Sequence, residues 1–202
     1  MPDPTHSATS TVSKSVLRQQ ALQTRSDARK SLGEVVGQAI LDNFLADVPR
    51  TSGASIAGYF PIRSEADPFP LMEELAQLGH TCALPRVVGA EKPLRFFRWA
   101  PGDQTDEGAF GTRVPVKKAE EIIPDILLVP LVAFDLSGYR LGYGGGFYDR
   151  TLEALRAKRP CLAVGLAYSV QEYDTVPHDV YDQPLDWVVS EKGSRCFERT
   201  SL

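Results

Sequence analysis

The chain has 202 residues, a formal net charge of -4 and 43% hydrophobic residues. These values are typical of one globular domain with a full core, and they exclude a chain that is disordered, collagen-like or coiled-coil throughout. The slight negative charge argues against nonspecific binding to nucleic acid or to acidic membranes.

Cysteines and leader signals bear on the compartment. Cys82, Cys161 and Cys196 form no CxxC pair and no even-numbered disulfide framework, a usage typical of a reducing compartment. The first residues lack the apolar segment of a secretion signal, and no stretch approaches the ~18 apolar residues of a membrane span. We therefore expect a disordered tail at residues 1–13, a single domain at residues 14–202, a cytoplasmic location and no membrane partner.

Apolar residues at helical spacing between Lys14 and Ala46 predict two successive helices that open the fold. We place their boundary at Ser26 and Asp27, because short polar side chains can cap the free amides of a helix that starts there. After Ala46 the hydrophobic pattern alternates between strands and helices. The predicted elements are a strand at 55–60, a helix at 67–79, strands at 81–85 and 94–99, and a loop with a short extended piece at 101–111.

The apolar run 126–134 is typical of a central strand covered on both faces, and we expect Pro130 to end its regular pairing. The last predicted elements are a helix at 147–157, a strand at 161–167 and a final short strand at 187–190. Strands that alternate with helices predict an α/β fold. Its architecture would be a three-layer, mostly parallel open sheet with helices on both faces (Rossmann-like), preceded by the N-terminal helices.

A glycine-rich segment, Gly142-Tyr143-Gly144-Gly145-Gly146, lies between a predicted strand and a predicted helix. Glycine lets backbone amides approach an anion closely, and the helix N-terminus adds free N–H groups, so the segment favours a phosphate ligand. It matches neither standard phosphate motif: GxGxxG would need glycine where Phe147 stands, and GxxxxGK[ST] does not occur. A mobile hairpin tip is the alternative.

Basic residues surround this segment. Arg140 and Arg150 flank it, and Lys14 and Arg18 stand four residues apart on one helix face. Like charges at that spacing repel each other, and an anion between them would turn the repulsion into attraction. The alternative is an ordinary solvated helix face.

Three acidic residues are further candidates for the site. Asp149, in the first turn of the predicted helix, and Asp186, before the last strand, could hold Mg2+ beside a polyphosphate. Asp149 would also suit a helix N-terminus without any ligand. Glu65 follows the first strand, where open α/β sheets place ligand contacts.

The motifs together resemble the 5-formyltetrahydrofolate cyclo-ligase family, whose members are also called methenyltetrahydrofolate synthetases. The resemblance runs from about Lys14 to Glu191, and its most specific segment is Arg140-Leu-Gly-Tyr-Gly-Gly-Gly-Phe-Tyr-Asp149. Supporting segments follow in order: Lys14-Ser-Val-Leu-Arg18, Tyr59-Phe-Pro-Ile-Arg-Ser-Glu65, Leu84-Pro-Arg86, Trp99-Ala-Pro-Gly-Asp103, Val176-Pro-His-Asp179, Leu185-Asp186 and Val188-Val-Ser-Glu191.

The resemblance implies an ATP- and Mg2+-dependent cyclisation of 5-formyltetrahydrofolate to 5,10-methenyltetrahydrofolate. The reaction would pass through a phosphorylated formyl group, an iminophosphate, and release ADP and phosphate. Such phosphoryl transfer needs positioning and charge neutralisation more than a protein nucleophile. The folate would carry a polyglutamate tail or none, and the enzyme would be a monomer or a weak homodimer without a nucleic-acid partner.

The resemblance also implies the site residues. Catalytic cations at the ATP phosphates would be Lys14, Arg18 and Arg140; further ATP contacts would be Gly142, Tyr143, Gly144, Gly145, Gly146, Phe147 and Tyr148; folate contacts would be Phe60, Glu65 and Phe147; and Mg2+ would be held by Asp149 and Asp186. Three other functions stay open: a non-catalytic folate or nucleotide binder, a nicotinamide-dependent oxidoreductase, and nucleic-acid binding.

Overall fold

The structure, a computed structural model, describes residues 13–198, so the tail predicted for residues 1–13 lies outside the described part except for Ser13. The helices are α1 (Lys14–Leu32), α2 (Val35–Asp47), α3 (Phe69–Gln77) and α4 (Phe147–Arg156). The strands are β1 (Ser55–Ala57), β2 (Thr81–Arg86), β3 (Arg95–Arg98), β4 (Thr105–Glu107), β5 (Arg113–Pro115), β6 (Glu121–Ile122), β7 (Ile126–Pro130), β8 (Ala133–Phe134), β9 (Arg140–Leu141), β10 (Leu162–Leu166), β11 (Trp187–Ser190) and β12 (Gly193–Cys196).

The central sheet has eight strands in the order β12-β11-β10-β7-β1-β2-β3-β6. Strands β11, β10, β7, β1 and β2 are parallel, whereas β12, β3 and β6 pair antiparallel at the two edges. Counted along the chain, the five parallel strands stand in the order 2-1-3-4-5, which is one of the two common doubly wound orders. The predicted α/β class and mostly parallel sheet are confirmed.

Strand β7 explains why its sequence is apolar throughout. Ile126 and Leu128 pack in the core that α2 and α3 cover, whereas Leu127 and Val129 pack in the core that α4 covers. Successive side chains of a strand point to opposite faces, so a strand buried on both faces carries no polar alternation. Helices therefore lie on both faces of the sheet, as predicted.

The boundary between the first two helices differs from the prediction. Helix α1 continues through Ser26 and Asp27 and ends at Gly33, whose backbone has φ +60° and donates to the Arg29 carbonyl at 3.1 Å. Arg25 and Ala28 are buried on either side of the expected break, so tertiary packing keeps this turn helical. Asp27 accepts a hydrogen bond from Gln23 one turn earlier and caps no helix.

Two strands also differ from the prediction. The first is shorter than predicted and ends at Ala57. The next residue, Gly58, lies so close to α3 that a Cβ there would be 2.0 Å from Met72 Sδ. After β11, which was expected to be the last strand, the chain turns at Gly193 and adds β12. In the described part, no helix is long and apolar enough to cross a membrane.

Helix α1 and a small ribbon lie beside the sheet. Strands β8 and β9 form this two-stranded ribbon, and Leu17 and Ala21 of α1 pack with its Ala133 and Leu141. The ribbon directly follows the carboxyl end of β7. Because α1 packs on the ribbon, α1 also lies near the carboxyl ends of the parallel strands. The next feature of the chain after the ribbon is the glycine-rich segment at the start of α4.

Candidate functional site

A cavity of about 1140 Å³ opens at the carboxyl ends of the parallel strands. Its walls come from the segment after β1, the segment after β7 and the start of α4, together with α1 and the β4–β5 hairpin. Strands β1 and β7 are the neighbours at which the strand order reverses. Crevices at such a switch point are where open α/β sheets bind ligands.

The glycine loop, residues 142–146, forms one wall of the cavity. Gly144 has φ +98° and Gly146 has φ +64°, backbone conformations that favour glycine. Gly146 is also the N-cap of α4, so free amides of the first helical turn lie beside the loop. Arg18 Nε donates to the Gly142 carbonyl at 2.7 Å, which joins α1 to the loop.

Charged side chains gather next to the glycine loop. Arg140, whose side chain is 5% exposed, pairs with Asp149 at 2.8 Å and also donates to the Gln183 carbonyl. Lys14 lies between Asp179 at 2.9 Å and Asp182 at 2.6 Å. Lys14, Arg140, Asp149 and Asp182 all line the cavity. This end of the cavity therefore presents both cations and carboxylates.

Burial and ion pairing act in opposite directions on these two cations. Burial opposes the charge of Lys14, but hydrogen bonds to Asp182 and Asp179 outweigh it and raise the pKa of the ammonium. Burial lowers the pKa of the Arg140 guanidinium, and the Asp149 carboxylate limits that shift. Lys14 and Arg140 are therefore both paired with carboxylates. A bound anion in the cavity would compete with these carboxylates for the two cations.

The folate-side end proposed for this cavity is lined by aromatic rings and contains one buried acid. Glu65 follows β1, is 4% exposed and accepts a hydrogen bond from the Ile62 amide at 2.8 Å. Burial raises the pKa of Glu65 from 4.5 to about 7, although the Ile62 hydrogen bond and the charge of Arg25 oppose the rise. The carboxyl group therefore changes protonation near neutral pH.

Aromatic rings surround this acid. The cavity that Glu65 lines is also lined by Phe60, Tyr59, Tyr148 and Phe147. Desolvation, and then the Glu65 charge, raise the pKa values of both tyrosines, which stay neutral donors. Phe110, at the tip of the β4–β5 hairpin, packs edge-on against Phe147 with ring centroids 6.2 Å apart. The apolar end thus suits a flat ring system with a polar edge.

The structure brings nearly all the predicted site residues to this one cavity. Those that line it are Lys14, Arg18, Phe60, Glu65, Arg140, Gly142, Tyr143, Gly144, Gly145, Gly146, Phe147, Tyr148 and Asp149. Arg150 does not line the cavity; its guanidinium donates to the Gly145 carbonyl of the loop at 2.7 Å and to the Ala90 carbonyl at 2.9 Å. These bonds connect the glycine loop to the segment before β3.

Asp186 is the exception among the predicted site residues. It does not line the cavity; its carboxylate pairs with Arg156 at 3.0 Å and accepts from the Ala163 amide at 2.7 Å. These contacts join the end of α4 to the start of β10. The cavity therefore contains Asp149 but not Asp186, and a role of Asp186 in supporting Mg2+ stays a prediction.

Sequence reasoning missed several residues of the cavity. Asp182 stands four residues before Asp186 in the same Pro- and Asp-rich loop, and no local pattern separates the two. Arg63 and Phe110 are non-glycine residues with positive φ, 55° and 59°, a property that the sequence did not reveal. Arg25 does not line the cavity, but it is fully buried and donates to the hydroxyl of Tyr143 in the glycine loop.

The strand order and the place of the cavity define an α/β protein of the doubly wound class, with its ligand site at the switch point. A model of the 5-formyltetrahydrofolate cyclo-ligase family matches residues 10–191. The chain therefore belongs to the 5-formyltetrahydrofolate cyclo-ligase family and is an enzyme of the ligase class.

Individual relatives agree with this membership. The 5-formyltetrahydrofolate cyclo-ligase of Mycolicibacterium smegmatis is 34% identical over 89% of this chain and 94% of the relative. The enzyme of the same name from Haemophilus influenzae is 35% identical over 73% of this chain and 81% of the relative. The NMR structure of Aquifex aeolicus 5,10-methenyltetrahydrofolate synthetase superposes with a TM-score of 0.75, at 34% identity, over 94% of this chain and 95% of the other.

Proposed function

We propose that this chain catalyses the ATP-dependent cyclisation of 5-formyltetrahydrofolate to 5,10-methenyltetrahydrofolate, with release of ADP and phosphate. The observation that carries the proposal is the two-ended cavity. A glycine loop with cations forms one end, and aromatic rings around a buried acid form the other. Both substrates of such a ligase would meet where the two ends join, next to Phe147 and Tyr148.

The glycine-loop end fits the phosphates of ATP. The loop and the first turn of α4 supply free amides, and Arg18, Arg140 and Lys14 supply positive charge. Guanidinium groups bind phosphate oxygens through paired N–H donors, and the lysine acts as a point charge. We therefore assign the three cations to the phosphates, as the resemblance implied.

The carboxylates at this end fit a magnesium ion that arrives with the nucleotide. No group of three or more His, Cys, Asp or Glu side chains within residues 13–198 is arranged to hold a metal by itself. Mg2+ is commonly held by one or two carboxylates together with substrate phosphates and water. Asp149 and Asp182 would take that role here, with Asp182 in the place first given to Asp186. When bound, the ion neutralises phosphate charge and orients the transferred group.

The acidic, aromatic end fits the pterin of the folate. A deprotonated Glu65 can accept hydrogen bonds from adjacent ring N–H groups, and Phe60 and Phe147 offer faces and edges for the ring. The pKa of about 7 for Glu65 leaves the carboxylate available at neutral pH, and donors from a ligand would stabilise it further. This end would hold the formyl group toward the glycine loop.

The chemistry explains why both ends are needed. A formyl amide is a poor electrophile with a poor leaving group on its carbon. Transfer of the γ-phosphoryl group to the formyl oxygen gives an iminophosphate, the neighbouring folate nitrogen attacks the carbon and loses its proton, and phosphate departs. The residues of this chain hold the two substrates in line and offset developing negative charge, which is the main contribution an enzyme makes to phosphoryl transfer.

We also propose that the enzyme acts in the cytoplasm, as a monomer or weak homodimer, on folates with or without a polyglutamate tail. The free thiols of Cys82, Cys161 and Cys196 support a reducing compartment. The ligase membership favours this activity over a nicotinamide-dependent oxidoreductase.

The direct test is an absorbance assay with purified chain, 5-formyltetrahydrofolate and MgATP that follows the methenyl chromophore. We expect product only when ATP and Mg2+ are both present, with one ADP formed per product. Parallel reactions without ATP and with excess chelator are the controls. A folded, ATP-binding protein that forms no product would contradict the proposal and favour a non-catalytic binder.

A further inference from the structure

Arg25 is a buried cation whose hydrogen bonds reach three separate segments at or next to the cavity wall. It is 0% exposed and lies on the face of α1 that also carries Lys14, Arg18 and Arg29. A buried charge is costly unless it is fully hydrogen-bonded. No salt-bridge partner for Arg25 occurs among residues 13–198, so neutral acceptors hold its guanidinium.

The three acceptors belong to different elements. Arg25 Nη2 donates to the Tyr143 hydroxyl of the glycine loop at 2.5 Å, and Nε donates to Ser64 Oγ, in the segment after β1, at 3.1 Å. Nη1 donates to the Leu131 carbonyl, just after β7, at 2.8 Å. The Arg25 guanidinium therefore joins the glycine loop, the segment after β1 and the segment after β7.

Neighbouring contacts strengthen this connection. The Tyr143 ring lies between two guanidinium groups, with Cζ of Arg25 and Cζ of Arg63 each 5.4 Å from the ring centroid. Arg29, one turn after Arg25, donates to the Glu65 carbonyl at 3.0 Å. Helix α1 thus binds the glycine loop through Arg18 and Arg25, and the segment after β1 through Arg25 and Arg29.

We propose that Arg25 is a positioning residue that couples the nucleotide end of the cavity to the folate end. Its guanidinium donors have a fixed fork geometry, so a shift of either loop on ligand binding strains the bond to the other. Such coupling is reciprocal: the nucleotide changes the affinity for folate by the same factor as folate changes the affinity for the nucleotide. The inference rests on the proposed function, since it assumes a nucleotide at one end and a folate at the other.

Ser64→Ala is the sharpest test, because Ser64 does not line the cavity and belongs to the folate-side segment. Calorimetric titration of the full chain would measure the Kd for a non-hydrolysable ATP analogue with Mg2+ and, separately, for 5-formyltetrahydrofolate. We expect Ser64→Ala to weaken binding of the nucleotide analogue by about three- to tenfold, because one hydrogen bond to the shared guanidinium is lost. Ser64→Thr keeps a hydroxyl and should restore the wild-type Kd.

Two further variants show whether Arg25 transmits the effect. In a Tyr143→Phe background the hydrogen bond from the guanidinium to the loop is lost and only the ring contact remains, so adding Ser64→Ala should change the Kd for the nucleotide analogue by a smaller factor than in the wild type. Arg25→Lys removes the forked guanidinium, so adding Ser64→Ala to a folded Arg25→Lys variant should also change the Kd for the nucleotide analogue by a smaller factor. Ser31→Ala is the matched control, because that hydroxyl bonds only within α1, to the Ala28 carbonyl.

The outcomes are distinct. If Ser64→Ala changes only the Kd for folate, or weakens the nucleotide analogue equally in the Tyr143→Phe background, the coupling role of Arg25 is overturned. A wild-type chain that binds neither ligand would overturn the proposed function and this inference with it. Binding of both ligands by wild type, with the effect of Ser64→Ala present and then reduced in the Tyr143→Phe background, supports the inference.

Discussion

Arg18 and Arg140 reach the glycine loop from different elements and in different states of burial. Arg140 is almost buried and is held by Asp149, so it belongs to the packing of the site as well as to its chemistry. Arg18 is only partly buried, and its Nε donates to the Gly142 carbonyl of the loop. Its remaining guanidinium donors are therefore available for a ligand at less structural cost.

Arg18→Ala should lower kcat/KM by about 100-fold, because a donor aimed at transition-state charge is commonly worth about 3 kcal/mol. The melting temperature should change little. Steady-state kinetics and thermal unfolding of the same preparation check both statements. Arg98→Ala removes an exposed arginine that pairs with Glu120, far along the chain from the loop, and should leave kinetics unchanged. Wild-type kinetics in Arg18→Ala would reject the assigned role.

Glu65 predicts a pH dependence of stability whose sign follows from its burial. Its pKa is about 7 in the folded chain and 4.5 without burial, so between these values the folded state binds the extra proton. The stabilisation is complete below pH 4.5 and is lost as the pH rises through 7. The difference corresponds to about 3 kcal/mol in the free energy of unfolding.

Urea unfolding at pH 5 and pH 8 measures this effect against Glu65→Gln, which mimics the protonated acid. The wild type should lose about 2.5 kcal/mol more than the variant between the two pH values, because a small part of the stabilisation is already lost at pH 5. All other titrating groups are shared by the two proteins, so their contributions cancel. Equal losses in both proteins would mean that Glu65 titrates at its ordinary pKa.

At the scale of elements, the glycine loop and α1 show how local preference and tertiary contact combine. Hydrophobic spacing predicted helices from Lys14 onward, and the helix at 147–157 was also correct to within a residue. The false break at Ser26 and Asp27 came from a valid capping preference that packing overrides. Burial of Arg25 depends on Ser64, Leu131 and Tyr143, which are 39, 106 and 118 residues away along the chain.

The loop itself should respond unequally to alanine. Gly144 has φ +98°, so Gly144→Ala should destabilise the chain by about 1–2 kcal/mol. Gly142 has no positive φ and nothing within 4 Å of an added Cβ, so Gly142→Ala should change stability by less than about 0.5 kcal/mol. Denaturant midpoints of the two variants provide the measurement. An equal midpoint for both would show that the loop adopts another conformation.

At the scale of the whole molecule, segments far apart in the sequence meet at the site. Lys14 at the start of α1 bonds to Asp182, 168 residues later, and so closes the nucleotide end of the cavity. Four residues further on, Asp186 has turned away and bonds to Arg156 and to β10. The two aspartates lie in one loop but belong to different parts of the structure, one to the cavity and one to the packing of α4 on the sheet.

The difference is testable by replacing each acid with its amide. Asp182→Asn and Asp149→Asn should raise the Mg2+ concentration for half-maximal activity by about tenfold, the effect expected when a group supporting a metal is lost. Asp186→Asn should leave that concentration unchanged and lower the free energy of unfolding by about 1–3 kcal/mol, because it weakens a partly buried ion pair. The reverse pattern would restore Asp186 as the metal-binding residue.

The sequence alone determined the α/β class, the alternation of strands and helices, the glycine loop and the family resemblance. These are local properties, since hydrophobic period and motif spacing are set by neighbouring residues. The tertiary structure decided which acid faces the cavity, that Arg25 is buried, and that Lys14 pairs with Asp179 and Asp182. Those facts depend on contacts between segments far apart in the chain, and such contacts exist only once the sheet has assembled in its 2-1-3-4-5 order.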